Sequence, residues 1–256
     1  MASEQLISIV LPVYNEADNI APCLRGLFAV LKDLPHEIVV VYDFDADTTL
    51  PAIAAMPDKP ATVRLAKNTL GKGVVNALRA GFAAAKGDVV VTTMADLSDP
   101  PGVIPQMASK IRSGGAVVVS GSRYMRGGSQ HGGPLLKRTM SRFAGLSLRY
   151  FAFMKTHDAT TNFRAYAAEF LRTHPVESTA GFEVALELTV KAHLEGLKID
   201  EVPSTWHDRT AGESRFNLKK WLPKYFYWYM LAMWRPLLGW LLILAIVIAA
   251  ILYTRS

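Results

Sequence analysis

Cysteine is almost missing from this 256-residue chain; Cys23 is the only one. No disulfide can close within it, which fits a reducing compartment. A lone cysteine in a helical stretch reads as a small apolar residue. No GxGxxG follows the first apolar run, which argues against a dinucleotide fingerprint. Gly71-Lys72-Gly73 lacks the spacing and the Ser/Thr of a Walker loop, and reads instead as a helix N-terminus facing a phosphate. His131, His157, His174 and His207 are scattered without metal-ligand spacing and read as surface or loop residues. There is no internal repeat and no low-complexity tract. Residues 1–5 are short and polar and a β-like run begins at Ile7, so no signal peptide is expected.

Half of the residues are hydrophobic and a fifth are charged, enough for one sizeable core or one core plus an appendage. The formal charge of +6 suggests anionic partners: nucleic acid, lipid head groups or phosphorylated substrates. Residues 236–254 (PLLGWLLILAIVIAAILYT) carry no charge. As a helix they reach roughly 28 Å, about the thickness of bilayer hydrocarbon. A buried terminal helix is the alternative, but a core helix normally carries a polar stripe and this one has none. Just before it, Tyr225, Tyr227, Trp228, Tyr229 and Trp234 stand among Lys219, Lys220, Lys224 and Arg235. That mixture suits the head-group layer, with a second core helix as the alternative. The basic flank places this side in the cytoplasm. The expected organisation is a domain over residues 1–217, a membrane-interface segment over 218–235 and one transmembrane helix over 236–254.

From residue 6 to about 121 the pattern alternates. Residues 6–13, 37–42, 62–65, 88–94 and 116–120 read as strands, several of them continuously apolar and β-branched. Residues 19–34 and 73–85 have helical spacing. Strands this apolar are covered on both faces, so the expected fold class is α/β: a mainly parallel sheet with helices on each side. Residues 134–153 look helical and basic, 181–195 look like an amphipathic helix, and 198–206 read as a strand. Glu183 and Glu187, one helical turn apart, read as a solvated face.

In open parallel sheets ligands bind beyond the carboxyl ends of the strands. Asp43, Asp45 and Asp47 follow the second strand, and Asp96 and Asp99 follow the strand ending at Met94. Carboxylates this crowded usually face a cation or donors. Hard oxygen ligands suit Mg²⁺ or Mn²⁺ bridged to substrate phosphates. Solvated loop aspartates capping the next helix are the alternative.

In order along the chain, ISIVLPVYNEADNI, VVVYDFDADTT, VVVTTMADLSDPP, GSRY, DATTNFRAY and EVPSTWHDRTAGESRF together resemble family 2 glycosyltransferases of the GT-A fold. The resemblance is to the branch holding dolichyl-phosphate mannose synthase and bacterial polyprenyl-phosphate glycosyltransferases, and it covers roughly residues 5–217. It implies a membrane-anchored inverting enzyme that moves a sugar from a nucleotide-diphosphate donor to a polyprenyl phosphate. Pro12, Tyr14, Glu16, Asp43, Asp45, Asp47 and Lys72 would line the donor pocket, with Arg209 and Arg215 clamping its diphosphate. Asp96 would be the central metal ligand, assisted by Ser98 or Asp99. Arg123, Lys137, Arg138 and Ser141 would hold the acceptor phosphate, with Arg126 and Arg142 as further cations, and Asp158 would stand near the acceptor. The catalytic set implied is Asp96, Asp158 and Arg209.

Two positions depart from the family pattern: Tyr42 and Met94 stand where aspartates are usual. Methionine is a poor ligand for a hard cation. The metal site then rests on Asp96, Asp99 and the donor's own oxygens. Alternatives are a hydroxyl acceptor on a glycan or lipid, or a catalytically silent nucleotide-sugar binder. A nucleic-acid partner is not expected, because the basic residues cluster beside the apolar terminus rather than in an aromatic-studded groove.

Overall fold

The computed structural model describes residues 5–179, 181, 183–208 and 218–255. The first half alternates strand and helix: β1 (Ile7–Pro12), α1 (Ala17–Leu31), β2 (His36–Tyr42), α2 (Thr49–Ala54), β3 (Val63–Lys67), α3 (Val74–Ala84), β4 (Val89–Thr92), α4 (Ile104–Arg112) and β5 (Val118–Ser122). There follow β6 (Ser129–His131), α5 (Leu135–Phe151), β7 (Arg164–Ala167), α6 (Ala168–Thr173), α7 (Val184–Leu194), β8 (Ile199–Pro203), β9 (Thr205–His207) and α8 (Leu218–Arg255).

The main sheet has seven strands in the order β3-β2-β1-β4-β7-β5-β8. All neighbours run parallel except β7, which is antiparallel to both β4 and β5. The expected α/β architecture is therefore observed. Strand β7 begins within the stretch DATTNFRAY, whose short run of mixed residues carries no clear period.

Alternation along the strands divides the interior into two cores. Ile7, Ile9, Leu11, Ile38, Val40, Val89 and Val91 face α1, α2 and α4. Val10, Val39, Val41, Val90 and Val118 face α3, α5, α7 and α8. Each aliphatic side chain fully buried in this way contributes roughly 1.5–3 kcal/mol. Gly81 lets α3 lie close on β1, since a Cβ there would stand 2.3 Å from Val10 Cγ1.

Three expectations are corrected. The helix expected over 181–195 is present as α7 but is not amphipathic; Val184–Thr189 are all buried, Glu187 included. Glu183 and Glu187 are fully buried rather than solvated; Glu187 accepts the backbone N–H groups of Glu177 (2.6 Å) and Ser178 (2.8 Å) and pairs with Lys191 (2.8 Å). The strand expected over 198–206 breaks at Ser204. Its tail, β9, leaves the main sheet to pair with β6.

Helix α8 bends where Pro236 lacks an N–H and crowds the preceding turn. Among the described residues no single helix is long and apolar enough to cross a membrane. The pair Leu222–Trp234 and Pro236–Ile248, bent by 52°, has the length and composition together. The span expected over 236–254 falls in its second arm.

Candidate active site

Three loops meet at the carboxyl ends of β1, β2 and β3. Asp47, fully buried, accepts Asn15 N at 3.0 Å and Thr49 N at 2.8 Å through Oδ1. It thereby caps α2 and ties the first loop to the second. Its Oδ2 is buried with no hydrogen-bond partner among the described residues. Glu16 N donates to Thr49 Oγ1 at 2.9 Å, and Glu16 accepts Asn19 Nδ2 at 2.8 Å. Asp43 accepts Asn68 Nδ2 at 2.7 Å and Gly73 N at 2.8 Å, which fixes the third loop. Tyr14 meets Phe44 edge-on at 5.3 Å, and the Lys72 ammonium sits 5.1 Å from the Phe44 ring centre. Pro12 closes β1 in the buried interior of the sheet. Asp45 turns outward, 76% exposed, and pairs with Lys67.

The fourth loop follows β4, which ends at Thr92, so Met94 and Asp96 stand in the loop itself. Asp96 is buried and its Oδ1 accepts Ser98 N at 3.2 Å. Leu97 between them has φ 61°, the left-handed conformation that turns this chain sharply. Ser98 Oγ is buried with no hydrogen-bond partner among the described residues, and Ser98 O accepts His207 N from β9 at 3.0 Å. Asp96 and Glu16 both act on Cys23; burial first, then these two carboxylates, push its thiol up to about 12. Among the described residues no three His, Cys, Asp or Glu side chains converge as a metal site.

Burial first, then Asp96 and Asp158, push Asp99 up to about 7, against the opposing charge of Arg123. A folded-state pKa above the ordinary carboxylate value means that the folded chain holds this proton more tightly than the unfolded one. Asp99 therefore removes stability as pH rises from about 4 through 7. Asp99→Asn is expected to reduce the fall in Tm between pH 5.5 and pH 8, by about 2–4 °C per kcal/mol relieved. Scanning fluorimetry without divalent cations checks this, and an identical pH slope in the two proteins contradicts it.

Past β5 lies a cationic cluster. Arg123, just past β5, makes a two-pronged ion pair with fully buried Asp158: Nε to Oδ2 at 2.7 Å and Nη2 to Oδ1 at 3.0 Å. Arg123 N, Thr160 N, Thr160 Oγ1 and Thr161 N also donate to this carboxylate. Burial raises the Asp158 pKa, but the charge and hydrogen bonds of Arg123 more than offset it, and Asp158 lies below the ordinary range. Arg123 Nη2 reaches Ser141 Oγ (3.0 Å) and Thr160 Oγ1 (3.2 Å) as well. Ser141 belongs to α5, which approaches closely because a Cβ at Gly145 would stand 2.2 Å from His157 O. Lys137 and Arg138 occupy the first turn of α5, both partly exposed.

The structure thus brings Tyr14, Glu16, Asp43, Asp47 and Lys72 around three neighbouring strand ends, Asp96, Ser98 and Asp99 onto the fourth loop, and Arg123, Ser141 and Asp158 into one cluster. Arg209 and Arg215 lie outside the described residues. Sequence reasoning passed over Phe44 and Thr160. The aromatic in an otherwise acidic loop was a signal for the first; nothing local marks the second. His157, read as surface or loop, does lie in the loop after α5, where its half-buried ring meets Glu201 Oε1 at 2.5 Å and Glu201 also accepts His157 N at 2.8 Å.

Helix α5 carries a further feature. Leu135, Leu136, Phe143, Tyr150 and Phe151 on it, and Phe153 just after it, are more than half exposed. Trp240 of α8 stacks on Phe153 and donates to Phe151 O. On α8, Trp228 is buried against the domain, while Phe226, Tyr227 and Trp234 are exposed. The aromatics expected together in a head-group layer are thus divided between two faces.

Comparison with known proteins agrees with this arrangement. The dolichol-phosphate mannosyltransferase of Pyrococcus furiosus is 32% identical over 217 residues, covering 83% of this chain and 60% of that protein. The dolichol-phosphate mannosyltransferase of Saccharomyces cerevisiae is 29% identical over 221 residues, covering 83% of this chain and 81% of that protein. This chain thus spans 60% of the length of the first relative. Among solved structures, glucosyl-3-phosphoglycerate synthase from Mycobacterium tuberculosis, in complex with Mn²⁺, uridine diphosphate and phosphoglyceric acid, superposes with a TM-score of 0.67 at 19% identity. That match covers 90% of this chain and 78% of the other, and it shows a common fold. Residues 8–174 match the family described as Glycosyl transferase family 2, and with its sheet and strand-end loops the chain belongs to that family.

Proposed function

We propose that this chain is a glycosyltransferase that moves a sugar from a nucleotide-diphosphate donor to a polyprenyl phosphate at the cytoplasmic face of a membrane, by single inverting displacement. The observation that carries the reading is the position of Asp99. Its carboxyl lies within electrostatic reach of Asp96, Arg123 and Asp158 alike. Acidic and cationic half-sites are therefore adjacent, as transfer between two phosphate-bearing molecules requires.

Tyr14, Glu16, Asp43, Asp47 and Lys72 take the nucleoside end of the donor. Asp96, with Asp99 and the buried Ser98 hydroxyl, would hold a divalent cation at the donor phosphates. Such an ion, Mg²⁺ or Mn²⁺, supplies charge neutralisation for the departing nucleotide diphosphate. Arg209 and Arg215 belong to the same diphosphate clamp in this reading. On the acceptor side an anionic phosphate needs little help from a general base. It needs oriented donors, which Arg123, Ser141, Lys137 and Arg138 supply. Asp158 has no exposed surface and a carboxylate full of donors, so its role is to hold Arg123 rather than to touch substrate. The relatives named as dolichol-phosphate mannosyltransferases support this acceptor class.

Membrane attachment rests on two features: the bent apolar pair in α8, and the exposed apolar side chains of α5 between Lys137, Arg138 and Arg142. Leu136→Ser combined with Phe143→Ser is expected to weaken binding to vesicles of neutral and anionic phospholipid several-fold, without changing Tm. Flotation of the purified chain measures it, and unchanged flotation contradicts a lipid-facing α5.

The function itself is tested by incubating the full chain in detergent with radiolabelled nucleotide sugars and an isoprenyl phosphate. Label in the lipid fraction is the expected result. Release of free sugar only, or transfer only to hydroxyl acceptors, contradicts it.

A further inference from the structure

Tyr124 follows Arg123 in the stretch GSRY, and both its ring and its hydroxyl are engaged. The Arg123 guanidinium carbon lies over the ring, 4.9 Å from its centre. The hydroxyl donates to Gln130 Oε1 at 3.0 Å and lies 3.0 Å from Ser141 Oγ. A phenol donates once and can also accept, so one oxygen can serve both neighbours.

The ring bears on how Arg123 is held. Nε and Nη2 of the guanidinium are taken up by Asp158, Ser141 and Thr160. Among the described residues nothing accepts from Nη1, and the side chain is 12% exposed. Nη1 is therefore the edge left to meet an anion. Hydrogen bonds made in the plane of a guanidinium fix its edges but resist tilting poorly; an aromatic ring on its face resists the tilt. The hydroxyl bears on a longer path. Gln130 lies in β6, opposite Trp206 of β9, and the next residue, His207, donates its N–H to Ser98 O at 3.0 Å. Ser98 N in turn donates to Asp96 Oδ1 at 3.2 Å. Tyr124 thus joins the arginine cluster, through the β6–β9 ribbon, to the loop that carries Asp96.

We propose that Tyr124 is a positioning residue: its ring aims the Nη1 edge of Arg123 at the acceptor anion, and its hydroxyl fixes the β6–β9 ribbon, and with it the Asp96 loop, relative to that arginine. This deepens the proposed function and rests on it for the identity of the acceptor. The two parts of the side chain act on different quantities. Loss of the ring loosens the group that binds the anion. Loss of the hydroxyl alone leaves binding intact and misaligns acceptor against donor, and a displacement between two bound substrates is sensitive to such misplacement.

In the full chain Tyr124→Phe removes only the hydroxyl, and Tyr124→Leu removes the ring as well. With farnesyl phosphate in detergent micelles as probe, Tyr124→Leu is expected to raise its Kd roughly 3- to 10-fold, the scale of a partly desolvated cation–aromatic contact. Tyr124→Phe leaves that Kd unchanged but lowers kcat for transfer to farnesyl phosphate roughly 3- to 10-fold, the scale of one hydrogen bond. Gln130→Leu should cause the same loss of kcat, and the two changes together no further loss, since both cut one bond. The Kd values of UDP and GDP stay unchanged throughout. A farnesyl phosphate Kd unchanged in Tyr124→Leu, an equal rise for the nucleotides, or fully additive losses of kcat overturns the proposal. Two thermal double-mutant cycles need no substrate. Arg123→Lys with Tyr124→Leu, and Tyr124→Phe with Gln130→Leu, should each be non-additive in Tm. If the wild-type chain fails to bind farnesyl phosphate yet both pairs are coupled, the lipid-phosphate reading falls and the positioning role stands. Additivity in either pair overturns the role.

Discussion

Asp96→Asn is expected to abolish sugar transfer, with kcat lowered about 10²- to 10³-fold or more, the scale seen when one preorganised stabilising group is removed from a developing charge. The chain has little redundancy at this point. Met94 stands where a second carboxylate would assist, and a thioether does not bind hard cations well. Asp99 is held toward its protonated form by burial and by Asp96 itself. Loss of Asp96 therefore removes the one deeply placed carboxylate that turns the fourth loop back on Ser98. Asparagine keeps the shape and can still accept the Ser98 N–H, so the fold should survive. Transfer from a radiolabelled nucleotide sugar, measured beside the melting curve, decides the matter. Near-normal turnover in a folded Asp96→Asn protein rejects the donor-site assignment.

The second large effect belongs to Asp158→Asn. Breaking a buried ion pair from one side leaves an uncompensated charge, which costs about 3–5 kcal/mol. At about 2–4 °C per kcal/mol for a domain of this size, Tm should fall by roughly 6–20 °C. Transfer should fall with it, through the acceptor KM first, because Arg123 loses its two-pronged hold while the donor loops keep theirs. The pH dependence has a definite sign. Arg123 holds the Asp158 carboxyl below its ordinary range, so its stabilising contribution is complete above the unfolded pKa near 4 and is lost as pH falls through the lower folded value. The wild-type protein should therefore lose stability below about pH 4 more steeply than the variant. Replacing both partners, as in Arg123→Met with Asp158→Leu, is expected to recover part of the lost Tm but none of the activity, since apolar pairs can substitute for buried ion pairs in stability alone. Recovery of transfer in that double variant contradicts an acceptor role for Arg123.

Much of this site is legible in the chain because parallel sheets leave a simple record. A buried strand is a run such as EIVVVY, and its carboxyl end is the first polar residue after it. Asp43, Asp47 and Asp96 are found in that way, and each lies in a strand-end loop. Asp45 follows the same rule in sequence, yet it points to solvent and pairs with Lys67. Alternation of side chains within a tight loop is not readable from spacing alone. The pairing of Arg123 with Asp158 joins residues 35 positions apart. Its motifs suggested a common region but said nothing of which group supports which.

The second half was harder to read for a physical reason. Helix α7 has polar residues that pair internally, Glu187 with Lys191 and with two backbone amides, so its composition mimics a surface helix while its environment is interior. Strand β7 runs antiparallel between β4 and β5, and β9 leaves the main sheet after β8. Both depend on long-range pairing that no local period encodes.

By itself the sequence determined the α/β class, the strand-end acidic loops, the basic groups after β5 and the uncharged apolar terminus, because each follows from a local run, a period or a composition. Only the tertiary structure decided that Asp99 feels the charges of both Asp96 and Arg123, that Asp158 holds Arg123, and that α5 turns apolar side chains outward. These are relations between elements far apart in the chain, set by which faces the sheet leaves open for helices to cover.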